Sequence, residues 1–570
     1  MNKVENVHSQ SYLEGIVKGI ATTLGLDDDK KFGKQKFYEM ITCYFLWKVQ
    51  TDQTIKTPAD MDSRGFRRET IQFACIPFDD MCGYFDASKE CWEKMLGLIG
   101  KYTDEELAEC LIYADYYDDV FFESTPNSIT KLVDKFLQIQ ENDSVLEINA
   151  ETCEYTIESQ KSNEGASYTA LSDEYVGMIK ASIISDVLGF TDILLTCEPD
   201  EEIKYSKVFA NNIIDPAKPR RCSDINWYVE KHWPEFPIEI SNVWNASAWA
   251  LLSVAEEGKA VALMNAGQLT VKQFEEVRKF MCHGGYIEGV IMLPDKMYED
   301  TWINPYLIVL GRGKNKVKFY DASSESEKYR IKGKRINVFN DKIINKIYEE
   351  YTIGENIAEV SIDELELNDY NLNPLRYLTK NIETTKTIRL GDALREVKRG
   401  MTLSASDMDV LISEEPSDKK CIVPASISGG MISSRLFYQG DIKKPGKNEV
   451  HYGQILVSKT GNPFRAALAN ENFLVAGNLY ILDINSSILN PSYLRCFLNS
   501  ELGQKELKKY ATVSTTPVIS IANLQKIEVP IFEEKRQIEV NRRCEEIIAD
   551  LDKCYKQIAD NEEEIDSIFE

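Results

Sequence analysis

Histidine is nearly missing from this chain, with four residues in 570. The thirteen cysteines never occur as C-x-x-C pairs, so neither a zinc-ribbon spacing nor a dithiol redox motif is present and no metal site is expected. Scattered free thiols suit a reducing, cytoplasmic setting. The opening MNKVENVHSQSYLEGIV holds no apolar signal core, and no apolar run approaches the length of a bilayer span. The expectation is a soluble cytoplasmic protein with no membrane partner. Positive charge is also in deficit. Lys and Arg total 66 against 92 Asp and Glu, a net charge of −26, which argues against general nucleic-acid affinity and leaves room for one local basic face.

What the chain does have is enough apolar residue, 43%, to fill two to four packed domains. Residues 1–118 carry helical periodicity at 37–49, 88–98 and 104–113, which predicts a helical N-terminal domain. From 119 to 378, apolar strand candidates (145–148, 207–210, 260–264, 289–293 and 306–310) alternate with helical patterns at 173–188, 246–256 and 271–282. That alternation predicts a doubly wound α/β sheet. Residues 388–530 read as a β-rich domain with many Gly, Ser and Asn turns, and 531–570 as one long charged helix. Along that helix Val540, Cys544, Ile547, Leu551, Cys554, Ile558, Asn561, Ile565 and Ile568 form a heptad seam, the pattern of a coiled coil. The fold class is therefore multidomain α/β.

The stretch 121–157 organises the α/β part. Thr125-Pro126 opens a helix, with Ser or Thr as N-cap and Pro at the first helical position; a turn at Asn142-Asp143 and a short strand at 145–148 follow. Strand, loop and helix in that order are where a nucleotide-like cofactor sits in a doubly wound sheet. This arrangement resembles the catalytic domain of the modification (methyltransferase) subunits of type I restriction-modification systems. There a Thr-Pro helix precedes a strand-loop of the pattern L-D-P-x-C-G-S-G-G-F-L. The likeness continues in Val290-Ile291-Met292-Leu293-Pro294, Thr301-x-Ile303, the strand 307–310 and Phe319-Tyr320-Asp321-Ala322-Ser323. It ends in Asp369-Tyr370-Asn371-Leu372-Asn373-Pro374-x-Arg376-Tyr377, similar to the segment that closes the domain in that family. Residues 388–530 resemble one target-recognition domain of a type I specificity subunit, followed by its long helix.

The resemblance implies S-adenosylmethionine and amino-methylation of adenine, which need a glycine loop, an acid on the cofactor ribose and an Asn-Pro-Pro-aromatic loop for the flipped base. The corresponding residues depart from that pattern. The loop reads Leu146, Glu147, Ile148, Asn149, Ala150, Glu151, Thr152, Cys153, Glu154, with no glycine to let the backbone approach a ligand. Leu171 stands where the ribose acid would be. Asn211 survives at the base loop, but Asn212, Ile213 and Ile214 replace both prolines and the aromatic. Glu198 is a candidate for the acid that contacts the cofactor adenine. Glu147, Asn149, Glu151 and Glu198 thus mark a degenerate cofactor site, with Asn211 a catalytic remnant and no cofactor expected.

Residues 386–530 hold 18 Lys and Arg against 14 Asp and Glu, a local balance of +4 that suits a DNA-facing surface. Lys398, Arg399, Lys443, Lys444, Lys447, Lys459 and Arg465 are candidates for phosphate contact, and Ser458 and Asn462 for base edges. The sequence therefore predicts a sequence-specific DNA-binding and scaffold protein of a restriction-modification or phage-defence system, carrying a pseudo-methyltransferase domain. Its expected partners are double-stranded DNA and either a second copy through the C-terminal helix or a methyltransferase or restriction subunit. The rival reading is an active S-adenosylmethionine-dependent N6-adenine DNA methyltransferase with divergent motifs.

Overall fold

A computed structural model describes residues 94–112 and 125–569, together with a few isolated positions between 15 and 44. Position 95 and the stretches 151–152, most of 173–192, 197–201, 213–222, 239–242, 299–303, 332–333, 379–385, 433–435, 442–445 and 513–516 fall outside this description. So do the helical expectation at 37–49 and most of those at 88–98 and 173–188. The chain divides into two compact units, Met1–Leu372 and Asn373–Glu570. The division falls inside the 369–377 segment. Tyr370 and Leu372 bond within the first unit, through Arg278 Nε to the Tyr370 carbonyl (2.7 Å) and the Leu372 amide to the Leu269 carbonyl. Arg376 bonds within the second, through its Nε to the Lys509 carbonyl at 3.3 Å.

The first unit is built on a nine-stranded sheet. Its strands are β1 (Ser144–Ile148), β2 (Ser167–Leu171), β3 (Ile193–Thr196), β4 (Tyr205–Asn211), β5 (Val254–Asn265), β6 (Ile287–Met292), β7 (Pro305–Leu310), β8 (Lys316–Asp321) and β11 (Ile357–Ser361). The spatial order is β11-β8-β6-β7-β5-β4-β1-β2-β3. A separate hairpin pairs β9 (Glu327–Ile331) with β10 (Lys334–Val338). β1, β2, β3, β4 and β5 run parallel, while β7 lies antiparallel between β5 and β6. The doubly wound α/β expectation holds, with β7 reversed near the centre of the sheet and β11 reversed at its edge.

Helix α1 (Asp104–Ile112) precedes the sheet, and α2 (Asn127–Leu137) and α3 (Glu154–Ser162) pack against it. α2 buries Ile129, Leu132, Val133, Phe136 and Leu137, the i, i+3, i+4 stripe visible in the sequence. These residues meet Val145, Phe209, Val261 and Leu307 from the strands. They also meet Ile344, Ile347 and Tyr351 of a later helix, Asp341–Ile353. Between β3 and β5 come α4 (Ser223–His232) and α5 (Val243–Ser253). α5 buries Trp244 and Trp249, and the latter stacks on Tyr228 of α4 at 4.7 Å. α6 (Glu275–His283) then leads into β6.

One local expectation is corrected. Pro126, not Thr125, occupies the N-cap of α2, and no side chain caps that helix. The Thr125 hydroxyl instead accepts from Asn211 Nδ2 at 3.1 Å. The second unit holds a four-stranded sheet (Leu394–Arg399, Leu479–Ile484, Ile455–Ser458 and Ala466–Leu468) and a five-stranded sheet of short strands. Against them lie α7 (Pro491–Asn499), α8 (Glu501–Tyr510) and the 36-residue α9 (Glu534–Phe569). Among the described residues, no helix is long and apolar enough to cross a membrane.

Candidate functional site

In an open parallel sheet, ligands bind outside the carboxyl ends of the strands where the strand order reverses. Here the order reverses at β1, because β2 and β3 continue on one side while β4 and β5 continue on the other. The register pairs Ile148 with Ala210, so the residues just beyond are Asn149 and Asn211. The Asn149 carboxamide donates to the Asn211 carbonyl and to Asn212 Oδ1, both at 3.2 Å. Asn212 is fully buried and Asn149 nearly so. The Asn212 amide donates to Leu263 and the Ala150 amide to Leu171. The side chains that end β1 and β4 therefore hydrogen-bond each other across the switch point.

Two residues of this loop take a backbone conformation that glycine favours. Asn149 and Cys153 sit at φ 58° and 60°, in the left-handed region. Asparagine tolerates it, whereas cysteine is strained there. Cys153 is the N-cap of α3 and is fully buried. Glu147 turns its carboxylate toward α3, accepting from Thr156 N (3.1 Å) and Thr156 Oγ1 (2.7 Å). Burial pushes its pKa up to about 8, with the charge of Glu154 adding to the rise and the Thr156 bonds opposing it. Burial thus favours the neutral form of Glu147, which is bonded to α3. Leu171 ends β2 as an apolar, buried side chain. Glu151 and Glu198 lie outside the described residues, as do Asp173 and Glu174 just past β2.

These described residues do not fit S-adenosylmethionine as they stand. A cofactor at the switch point would have to displace the Asn149 bridge. Sequence reasoning missed this bridge, since nothing in a sequence announces a contact between side chains 63 positions apart. A second concavity, an open groove of about 940 Å³ lined by Lys131, Asp134, Asn163 and Lys207 among others, lies at the amino-terminal end of the same strands. There Asp134 accepts from Ser159 Oγ (2.8 Å) and Asn163 Nδ2 (3.0 Å). Burial raises its pKa to about 6 against those bonds.

In the second unit, most described DNA-contact candidates gather around one turn. Gly477, at φ 77°, is held by its amide to the Met401 carbonyl (2.9 Å), and the Asn478 carbonyl accepts the Lys459 amide (2.8 Å). Arg465 Nη1 donates to the Pro424 carbonyl at 2.8 Å, and a Cβ on Gly477 would lie 3.2 Å from Pro424. Asn448 Nδ2 donates to the Arg399 carbonyl at 2.6 Å, bringing the loop that carries Lys447 alongside. Arg399, Lys447, Asn462 and Arg465 are exposed, and Lys459 is half-buried. Lys398 is also half-buried and paired with Glu396 at 3.4 Å. Lys443 and Lys444 lie outside the described residues. Ser458 is corrected: it is 1% exposed and its hydroxyl accepts the Arg465 amide, so it closes a hairpin and reads no base.

The C-terminal seam divides in two. Val540 and Cys544 pack into the core of the second unit and Ile548 is buried, while Ile558, Ile565 and Ile568 stay more than half exposed. Part of the heptad pattern therefore serves the domain's own packing.

Comparison with known proteins finds likenesses for part of this chain. Residues 247–387 match the N-6 DNA Methylase family. The type I restriction enzyme MjaVIII methylase subunit of Methanocaldococcus jannaschii is 30% identical over 183 residues, covering 30% of this chain and 31% of that protein. The MjaVII methylase subunit of the same organism is 24% identical over 311 residues, covering 48% and 52%. The chain thus spans 31% of the length of one of these curated relatives and 52% of the other. A solved type I restriction-modification methyltransferase subunit from Streptococcus thermophilus superposes with a TM-score of 0.48 at 15% identity, covering 65% of this chain and all of that one. By this match residues 247–387 are similar to the N-6 DNA Methylase family, and the chain is homologous in part to type I restriction methylase subunits.

Proposed function

We propose that this protein recognises duplex DNA through its second unit, as a component of a restriction-modification assembly, and that its own methylase-like sheet transfers no methyl group. The observation that carries the second half is the Asn149 bridge to Asn211 and Asn212, which fills the switch point with the protein's own side chains. The observation that supports the first half is the meeting of Arg399, Lys447, Lys459 and Arg465 around the Gly477 turn, in a chain that is strongly acidic elsewhere. Cations gathered on one face neutralise phosphates and release counterions. Two copies joined through the exposed distal half of α9 would present two such faces.

Titration calorimetry with S-adenosylmethionine tests the inactive sheet. No saturable heat at millimolar cofactor is expected; a micromolar dissociation constant, about −8 kcal/mol, would sink it. The rival reading, an active adenine N6-methyltransferase, draws on the methylase identity of the relatives and on Asp173 and Glu174, acids that follow β2 directly. Transfer of a labelled methyl group to unmethylated duplex DNA would establish it. The self-pairing of α9 is tested by light scattering: a dimer that Ile558→Asp with Ile565→Asp converts to monomer supports it, and a wild-type monomer at tens of micromolar removes it.

A further inference from the structure

We propose that Asn478 is a base-reading residue of the second unit, its carboxamide set at the centre of the basic loop cluster to hydrogen-bond a base edge of duplex DNA. This rests on the DNA-recognition reading above and names a residue that decides which sequence is bound.

The argument starts from the backbone. Asn478 sits between Gly477, whose left-handed conformation no ordinary side chain adopts readily, and Leu479, the fully buried first residue of the strand Leu479–Ile484. Gly477 bonds through its amide to Met401, the Asn478 carbonyl accepts the Lys459 amide, and the Leu479 amide returns to the Gly477 carbonyl at 2.9 Å. The Asn478 carbonyl is thus held by the Lys459 segment, and the amide of Gly477 before it by the Met401 segment. Its side chain is exposed, and among the described residues its carboxamide has no hydrogen-bond partner. Other asparagines of this region are committed: Asn448 to the Arg399 carbonyl, Asn472 to the Tyr452 amide, and Asn499 to the Ala466 and Arg495 carbonyls.

A rigid backbone under a free carboxamide is the economical arrangement for recognition, because only side-chain torsions are lost on binding. An asparagine amide offers one donor and one acceptor side, which match N6 and N7 of adenine in the major groove. The cations around it supply what a lone asparagine lacks. The Arg399 strand pairs along Leu479–Ile484, Lys459 is bonded to Asn478 itself, and Arg465 reaches Pro424, against which Gly477 packs. Phosphate contacts from those residues would hold the duplex in register while Asn478 meets a base. Asn462, also exposed, lies on the hairpin tip between Lys459 and Arg465, where the preceding Gly461 donates its amide to the Pro517 carbonyl at 3.2 Å.

The test uses the full chain and a pool of random duplex DNA at low salt, with selection for bound sequences. Wild type is expected to enrich a motif. Asn478→Ala is expected to lose preference at one or two positions of it, with affinity for that motif falling about tenfold. Its affinity for unrelated duplex, and the slope of that affinity against salt, should match wild type. Asn478→Asp, which keeps size and removes the donor, should shift the preferred base rather than restore it. An unchanged melting temperature in both variants excludes misfolding. If Asn478→Ala enriches the same motif with the same affinity, the assignment is overturned while DNA recognition stands. If wild type binds duplex and enriches nothing, the assignment is likewise overturned. If wild type ignores duplex altogether, the DNA-recognition reading falls and takes this inference with it.

Discussion

The carboxyl ends of the first unit's strands and the Gly477 turn of the second are both loop clusters rich in asparagine, and they are built in opposite senses. At the switch point the polar side chains turn inward: Asn149 holds Asn211 and Asn212, Asn211 holds Thr125, and Glu147 holds Thr156. At the Gly477 turn the bonds run to backbone carbonyls, from amides and from the Arg465 and Asn448 side chains, while Arg399, Lys447, Asn462, Arg465 and Asn478 stay exposed. The same residue type closes one site and equips the other. Polar residues at a switch point are therefore not evidence of a ligand until their partners have been counted.

If this contrast is right, substitutions at the first cluster should move stability and leave DNA binding alone, and substitutions at the second should do the reverse. The largest effect is expected from Glu147→Gln. An acid whose folded pKa is raised to about 8 contributes stability that is fully present below its ordinary value of 4.5 and is lost as pH rises through 8. At about 1.4 kcal/mol per unit, the wild-type loss across that span is at most roughly 5 kcal/mol, and the variant should not show it. Urea melts between pH 6.5 and 8.5 isolate the effect, because Asp134, raised to about 6, has largely completed its own loss by then. Asn149→Ala comes next, at about 2 kcal/mol of destabilisation, since it orphans Asn212 Oδ1 and leaves alanine at positive φ; duplex affinity should not change.

At the second cluster, replacing Arg399, Lys447 and Arg465 together by Ala should weaken duplex binding on the order of 10- to 100-fold and reduce the salt slope by about 3. The melting temperature should hold. A matching loss of stability would show that these cations are structural after all. The smallest effect, about 1 kcal/mol of stabilisation, is expected from Cys153→Gly, which relieves a left-handed cysteine. A destabilised Cys153→Gly would mean that the buried thiol's packing outweighs its strain.

Much of the scaffold was legible because it rests on local pattern. The strand candidates 145–148, 207–210 and 306–310 fall within β1, β4 and β7, and α2 shows its buried stripe in the sequence. β3 was missed: it is four residues long and half-exposed, too short and too wet for periodicity to register. The candidate site was less legible. That the loop after β1 holds no glycine could be read directly, but how its side chains bond could not. Thr125 reads as a helix cap and is a partner of Asn211; Ser458 reads as a groove residue and closes a hairpin. In each case the deciding contact comes from elsewhere in the fold. A short polar side chain satisfies whichever neighbour the tertiary structure brings.

The buried guanidinium of Arg278 gives the first unit an uneven response to alkali. It donates to the carbonyls of Tyr370, Gln268 and Val271, tying α6 to the end of the unit with a group that stays charged at any pH a protein survives. The opposite flank depends on Glu147 remaining protonated. Raising the pH past 8 therefore loosens one flank and leaves the other as it was. Hydrogen exchange at mildly alkaline pH should find the amides of α3 opening ahead of those of α6, so that unfolding has a fixed starting edge.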